Sequence, residues 1–416
     1  MDNGRGKYLL KNTAIFALGS FGTKIISFFL VPLYTHSLTT SQYGTVDLVT
    51  TICVLLMPVL ILNIGESVMR FALDEGANRE NIICVGLAVL VFAAVLGMAL
   101  VPVTRLFETI GEYSWYIYLY VLSASINQVL MCNLRGMEKL LAYSVGNILH
   151  TFAVAGFNVL FLLVFKLGVK GYFCAYILAN IFAGLYAFLV GNVSNALKHF
   201  QIDKVLAKKM IVYSAVLIPN SFMWWITDSF DRLLITAMLG SSANGLYAVA
   251  NKIPTMLASV SSIFSQAWLY SAIKENSSED KAEYSNSVLK ILVALLAVLV
   301  LGVLLIIKWF MRVYVESSYY SAWEYVPFLL LGVFFSVINT FVGTSYSVNK
   351  DSKGFLLSAT VGALTNIVLS VIFIPIWGCS GAALATCISY FFVLVFRLVH
   401  TRKYLRLNVM SWKNVL

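Results

Sequence analysis

Apolar runs separated by short polar breaks divide the chain into twelve segments long enough to cross a bilayer as helices. They cover about residues 12–34, 43–68, 81–103, 114–134, 141–165, 172–191, 210–231, 244–270, 287–309, 322–346, 354–376 and 380–400. About 20 apolar residues rising ~1.5 Å each match a hydrocarbon core ~30 Å thick. An even number of crossings puts both termini on one side. The longest internal break, about Asn192 to Lys209, carries four lysines and leaves six segments on either side. It predicts a six-helix lobe over 1–197, a basic inter-lobe linker over 198–208 and a second six-helix lobe over 209–416. Leu197, Phe200, Val205 and Leu206 are spaced to lie as a surface helix against the inner headgroups.

Composition narrows the class. Hydrophobic residues make up 60% of the 416 and charged ones 12%, with a mean hydropathy of +0.85. A soluble globular chain would carry about twice that charged fraction, so the chain reads as an all-α integral membrane protein. The first segment is too long to be a cleaved leader, and Thr35, His36 and Ser37 offer no small-x-small cleavage pattern.

The formal charge of +10 reports orientation rather than a nucleic-acid partner. With the termini inside, the outer breaks hold Arg105, Lys166, Lys170, Arg232, Lys308 and Arg312, and Lys24 and Lys252 stay within helices. The other 21 of the 29 lysines and arginines then fall on the inner side. That bias predicts a multi-pass protein with both termini in the cytoplasm.

Lys24 lies roughly 18 Å into the first segment, near mid-membrane. A cation there costs on the order of 3 kcal/mol, so it is expected to face a bundle interior or a watery cavity. The seventh and eighth segments hold the densest set of unusual residues: Pro219, Asn220, Trp224, Trp225, Asp228, Asp231, Arg232, Lys252 and Pro254. Lys252 lies roughly 12 Å from the outer end of its segment. Two readings stand for the lysines. They face an anionic group such as a pyrophosphate, which lysine binds as a point charge, or they pair with Asp47, Asp231 or Glu66 and lock helices together. Glu66 and Arg70 fall toward the cytoplasmic end of the second segment, either at an inward-facing entrance or as ordinary interfacial charges. Trp224 and Trp225 are about 100° apart on a helix, so only one readily faces a cavity. Pro58, Pro219 and Pro254 each remove a helix hydrogen bond and can bend their segments.

Two motifs recur. Gly168, Gly171 and Ala175 between segments five and six return as Gly378, Gly381 and Ala385 between eleven and twelve. Leu38 followed by Gly44 returns as Leu239 followed by Gly245. The pattern predicts two halves of the same orientation. No phosphate-cradling Gly-x-x-x-x-Gly-Lys-Ser/Thr loop and no His-Glu-x-x-His helix occurs, so neither a cofactor nor a metal is expected. The six cysteines all fall in apolar segments without Cys-x-x-Cys spacing and read as packing residues. Short outer breaks leave little room for a catalytic domain, and transport rather than enzymatic chemistry is expected.

The run from Lys24 to Thr35, Leu38 through Tyr43, Gly44 and Asp47, and Glu66 to Phe71 resemble the amino-terminal half of Wzx-type polysaccharide flippases. Pro219 to Trp225, Ser229 to Arg232 and Gly245 to Pro254 extend the resemblance into the second half. It implies the multidrug/oligosaccharidyl-lipid/polysaccharide (MOP) superfamily fold, two six-helix lobes in a V around a central cavity. It also implies an undecaprenyl-pyrophosphate-linked oligosaccharide as cargo, flipped to the outer leaflet of a bacterial inner membrane. Lys24 and Lys252 match the family's cationic cavity, with Arg70 near the cytoplasmic mouth and Asn220 and Trp224 against sugar. Asp47 and Asp231 then pair with the lysines or take part in coupling to H+ or Na+, and a polysaccharide polymerase or assembly protein is an implied partner. The alternatives are a lipid II flippase, which usually has fourteen helices, and an ion-coupled multidrug extruder. The extruder calls for a carboxylate in the first helix, where this chain has Lys24.

Overall fold

A computed structural model describes residues 24–74, 76–274, 280–349 and 351–404. Among them every regular element is helical, as lipid requires: a backbone with no water to bond must satisfy its polar groups within its own segment. The chain divides into two compact units, Met1–Trp225 and Ile226–Leu416.

In the first unit the helices are α1 (24–37), α2 (Thr40–Leu60), α3 (Ile64–Ala72), α4 (Arg79–Thr104), the one-turn α5 (Glu108–Gly111), α6 (Ser114–Gly136), α7 (Leu140–Asn158), α8 (Gly168–Val190) and the short α9 (Val193–Lys198). The π-helical turn Val159–Val164 extends α7. Helix α10 (Lys204–Leu239) runs across the division between units. The second unit continues with α11 (Ser241–Ala250), α12 (Lys252–Lys274), α13 (Lys281–Tyr314), α14 (Val326–Val348) and α15 (Ser352–His400). Nine helices among the described residues are long and apolar enough to span a membrane.

Two predicted segments are interrupted and two others are joined. The second, expected as 43–68, breaks between α2 and α3, where Leu62 and Asn63 take left-handed backbone angles and the Asn63 N–H bonds back to the Pro58 carbonyl at 3.0 Å. The eighth, expected as 244–270, breaks at Asn251. Pro254 explains the position: its ring opposes the carbonyl four residues earlier, that of Ala250, the last residue of α11. The last two segments join as α15, bent at Gly378, whose φ of 58° and ψ of −139° suit glycine alone. The predicted linker holds the end of α9 and the first turns of α10. Asp203 starts α10 by accepting from the Val205 N–H at 2.8 Å.

Helix packing uses small residues, because lipid removes the hydrophobic drive for association. Ala175, Ala179, Ala183 and Ala187 form a fully buried stripe on α8, while Ile181, Phe182, Leu185 and Leu189 on the same helix are exposed. A Cβ on Gly136 of α6 would lie 2.7 Å from the Ala72 Cβ of α3, so these helices touch nearly backbone to backbone. Ser67 of α3 donates to the Met210 carbonyl of α10 at 2.7 Å, with both residues fully buried. In the second unit Trp268 stacks on Phe341 at 4.3 Å and donates its indole N–H to Thr344 at 3.0 Å.

The repeated motifs share local conformation. Gly168 and Gly378 both have φ of +58°, Ala175 and Ala385 are both fully buried, and a side chain on Gly171 or Gly381 would press on the carbonyl of Phe161 or Phe373 respectively. Helices α2 and α11 each begin two residues after the repeated leucine.

Two outcomes follow. In detergent melts, Gly381→Val should lower stability by about 1–3 kcal/mol through overpacking, whereas Gly302→Ala, in open space on α13, should leave the melting temperature unchanged or raise it slightly. Asp351 lies outside the spans and caps α15. The Gly354 N–H, the Tyr404 hydroxyl and Lys403 hold its carboxyl down at about 2. A depressed carboxyl stabilises fully above its unfolded value, and the contribution is lost as pH falls through the folded one. The melting-temperature gap between wild type and Asp351→Asn should therefore be constant above about pH 5 and shrink toward pH 2.

Candidate functional site

Asp231 anchors the best-defined polar group in the second unit. It lies on α10 roughly 12 Å before that helix ends, and is 7% exposed. Its Oδ2 accepts from the Tyr247 hydroxyl of α11 at 2.5 Å, and its Oδ1 from the Arg232 backbone N–H at 2.9 Å. Tyr247 is itself fully buried and hydrogen-bonded to Thr386 of α15, whose hydroxyl accepts from the Asn366 amide at 3.1 Å. Asn366 precedes the Gly378 bend and Thr386 follows it. The donors point one way, from Asn366 through Thr386 and Tyr247 to the carboxylate, so each bond polarises the next. Such a chain can hold a carboxylate, stabilise a cation beside it, or rearrange when a proton arrives.

The other residues singled out from sequence are spread more widely. Lys24, the first described residue of α1, is exposed and forms no ion pair among the described residues. Asp47 is buried on α2. Arg70 is exposed on α3 and pairs with Asp74 one turn on, rather than with Glu66. Glu66 is half-buried on α3, with Cys132 and Arg135 of α6 nearby. Lys252 is half-buried at the first position of α12, beside the Asn251 break. The side chains of Asn220 and Trp224 lie outside those described. Trp225 is buried and donates its indole N–H to the Thr51 carbonyl of α2 at 2.8 Å.

Sequence reasoning missed two groups. Tyr247 carried no signal beyond its place in the Gly245 to Pro254 run, because its carboxylate partner is on another helix. Arg397 reads from sequence as an inner-loop cation, yet it is buried on α15. It donates to Ser358 at 3.0 Å and to the Asn339 carbonyl at 2.7 Å, with the Phe355 ring beneath its guanidinium.

Removing the Tyr247 hydroxyl should cost about 1.5–3 kcal/mol, the range for hydrogen bonds to charged groups. In a cycle of Tyr247→Phe, Asp231→Asn and the double variant, thermal stability should show coupling between the two sites. Additive effects would mean the contact contributes nothing of its own.

Comparison with known proteins agrees with the helical architecture. The inward closed conformation of the lipid II flippase MurJ matches with a TM-score of 0.70 at 14% identity, covering 94% of this chain and 87% of that one. An inward-facing multidrug resistance MATE family transporter of the MOP superfamily matches at 0.72 and 14% identity, covering 93% and 97%. A MOP superfamily transporter from Pyrococcus furiosus, described by the reverse polarity of its binding pocket, matches at 0.62 and 14% identity, covering 94% and 95%. These likenesses establish the MOP-superfamily transporter fold. No curated protein matches by sequence. The family model described as polysaccharide biosynthesis protein matches residues 9–270, more than half the chain, and the protein therefore belongs to that family.

Proposed function

We propose that the protein is a flippase for lipid-linked oligosaccharide, moving an undecaprenyl-pyrophosphate-linked glycan from the inner to the outer leaflet of a bacterial cytoplasmic membrane. The observation that carries this reading is Lys24, exposed on α1 and without an ion pair among the described residues, at a position that the apolar 12–34 segment predicts to be near mid-membrane. Such a charge is retained where something anionic must pass. Membership of the polysaccharide biosynthesis protein family supports a glycan as the cargo's polar part.

In this reading Lys24 and Lys252 attract the pyrophosphate or acidic sugars, and Arg70 stands near the cytoplasmic entrance. Asn220 and Trp224 contact sugar. Asp47, Glu66, Asp231 and Arg232 serve as structural pairs or, in the case of the two aspartates, in coupling to H+ or Na+. The isoprenoid stays in lipid, since a polar cavity offers its tail nothing that the bilayer core does not. Twelve crossings in two six-helix lobes joined by the basic 198–208 segment, with cytoplasmic termini, complete the proposed topology, and the released glycan passes to a polymerase or assembly protein.

The test is glycan translocation in cells lacking their own flippase, at matched membrane levels of each variant. Lys24→Ala and Lys252→Ala should each lower export by about tenfold or more, the effect of losing ~1.4 kcal/mol of attraction, and Lys24→Arg should retain most of it. Full export by both alanine variants would overturn the cationic mechanism. Loss of the protein from the membrane would instead assign the lysines to helix locking.

A further inference from the structure

The first unit contains a polar cluster that the flippase reading does not use. His150 is the eleventh residue of the Leu140–Val164 span, roughly 15 Å along a core ~30 Å thick, so it sits at mid-membrane. It is half-buried, and its Nε2 lies 3.0 Å from Oδ1 of Asn180 on α8. Asn127 of α6 points its amide at the same oxygen, at 3.4 Å. Three helices thus meet at one acceptor.

The hydrogen-bond accounting of this cluster does not close. A side-chain amide oxygen can only accept, so the His150 Nε2 carries a hydrogen. The other ring nitrogen, Nδ1, makes no hydrogen bond to the described residues. The Oδ1 of Asn127 is buried and has no donor. One unused nitrogen and one orphaned acceptor therefore occur in the same cluster, and a single added proton would supply the donor that both lack.

No carboxylate, lysine or arginine acts on the ring from α6, α7 or α8. Tyrosine is the titratable type nearest in register. On α8, Tyr176 lies one turn before Asn180 and is hydrogen-bonded to Tyr34, and Tyr186 packs beside Gly146 on α7. On α7 itself Tyr143 lies two turns below His150 under the Arg135 guanidinium, and on α6 Tyr120 lies two turns from Asn127 against Tyr176.

We propose that His150, with Asn180 and Asn127, is an intramembrane proton-binding site of the first unit. A proton from water adds to the Nδ1 lone pair, giving an imidazolium whose Nε2–H stays on Asn180. Asn127 gives up its long 3.4 Å contact with Asn180 and turns its Oδ1 to accept from Nδ1–H. Protonation thereby shifts the attachment of α6 from α8 to α7, changing helix contacts without requiring a carboxylate. Its use in transport rests on the transporter reading above, whereas proton binding at His150 does not.

The experiment keeps the two apart. Full-length protein labelled with 15N-histidine is placed in phosphatidylethanolamine and phosphatidylglycerol vesicles and followed by solid-state NMR from pH 8.5 to 4.5. His150 is assigned by its loss in His150→Gln and, should that variant fail to fold, from a variant in which His36, His199 and His400 are replaced together. The expected result is an Nδ1 that converts from unprotonated to protonated between about pH 8 and 5, the range in which histidine switches charge, while Nε2–H persists. Asn180→Leu should move the midpoint by at least half a pH unit. An Nδ1 unprotonated throughout, or a midpoint indifferent to Asn180→Leu, would overturn the site and reduce His150 to a neutral staple. In translocation assays His150→Gln should flatten the pH profile. A uniform loss with an unchanged profile would refute the transport role even if the NMR titration stands.

Discussion

The structure depends first on one constraint: in lipid, backbone N–H and carbonyl groups must be satisfied inside their own segment, and leaving a buried polar side chain without a partner is costly. The first half of that requirement makes the described elements helical. The second half decides how they pack. Ser67 reaches the Met210 carbonyl, Trp225 the Thr51 carbonyl, Trp268 the Thr344 hydroxyl and Arg397 the Asn339 carbonyl, each joining two different helices. With no hydrophobic drive between helices, such bonds and the close approach allowed by alanine and glycine select which faces meet.

Where the helices are interrupted, the chain places its unusual residues. Lys252 begins α12 immediately after the Asn251 break, Glu66 and Arg70 belong to the short α3 that follows Leu62 and Asn63, and Thr386 and Asn366 flank the Gly378 bend. Breaks free a few backbone groups and leave room for side chains that a continuous helix would crowd. They are also points at which helices can pivot, which gives polar residues beside them a natural connection to conformational change.

Much of the fold is legible along the chain. Apolar segments read along the chain fall in helices of the described residues, nine of them long and apolar enough to span a membrane, and Gly168 and Gly378 of the repeated motif share a φ of +58°. Segment boundaries were less legible where two helices abut. Apolar content hardly changes across Asn251, where a proline three residues on marks the break, and at Leu62 and Asn63 it is the left-handed angles that mark it. The candidate site was legible in part. Asp231 stood out as an intramembrane carboxylate, but its partner Tyr247 is sixteen positions away on another helix and read simply as one more aromatic residue.

From sequence alone came the class and its outline: a polytopic helical protein, its apolar segments, and the excess of lysine and arginine in alternate breaks. Hydropathy and charge act on each segment separately, so one-dimensional order suffices to read them. Tertiary structure decided the partners: the Tyr247 hydroxyl on Asp231, Asp74 beside Arg70, Trp225 buried on Thr51, and His150 joined to Asn180. Which side chains meet depends on the rotation of each helix about its axis, and in a membrane span apolar on every face no sequence period reveals that rotation.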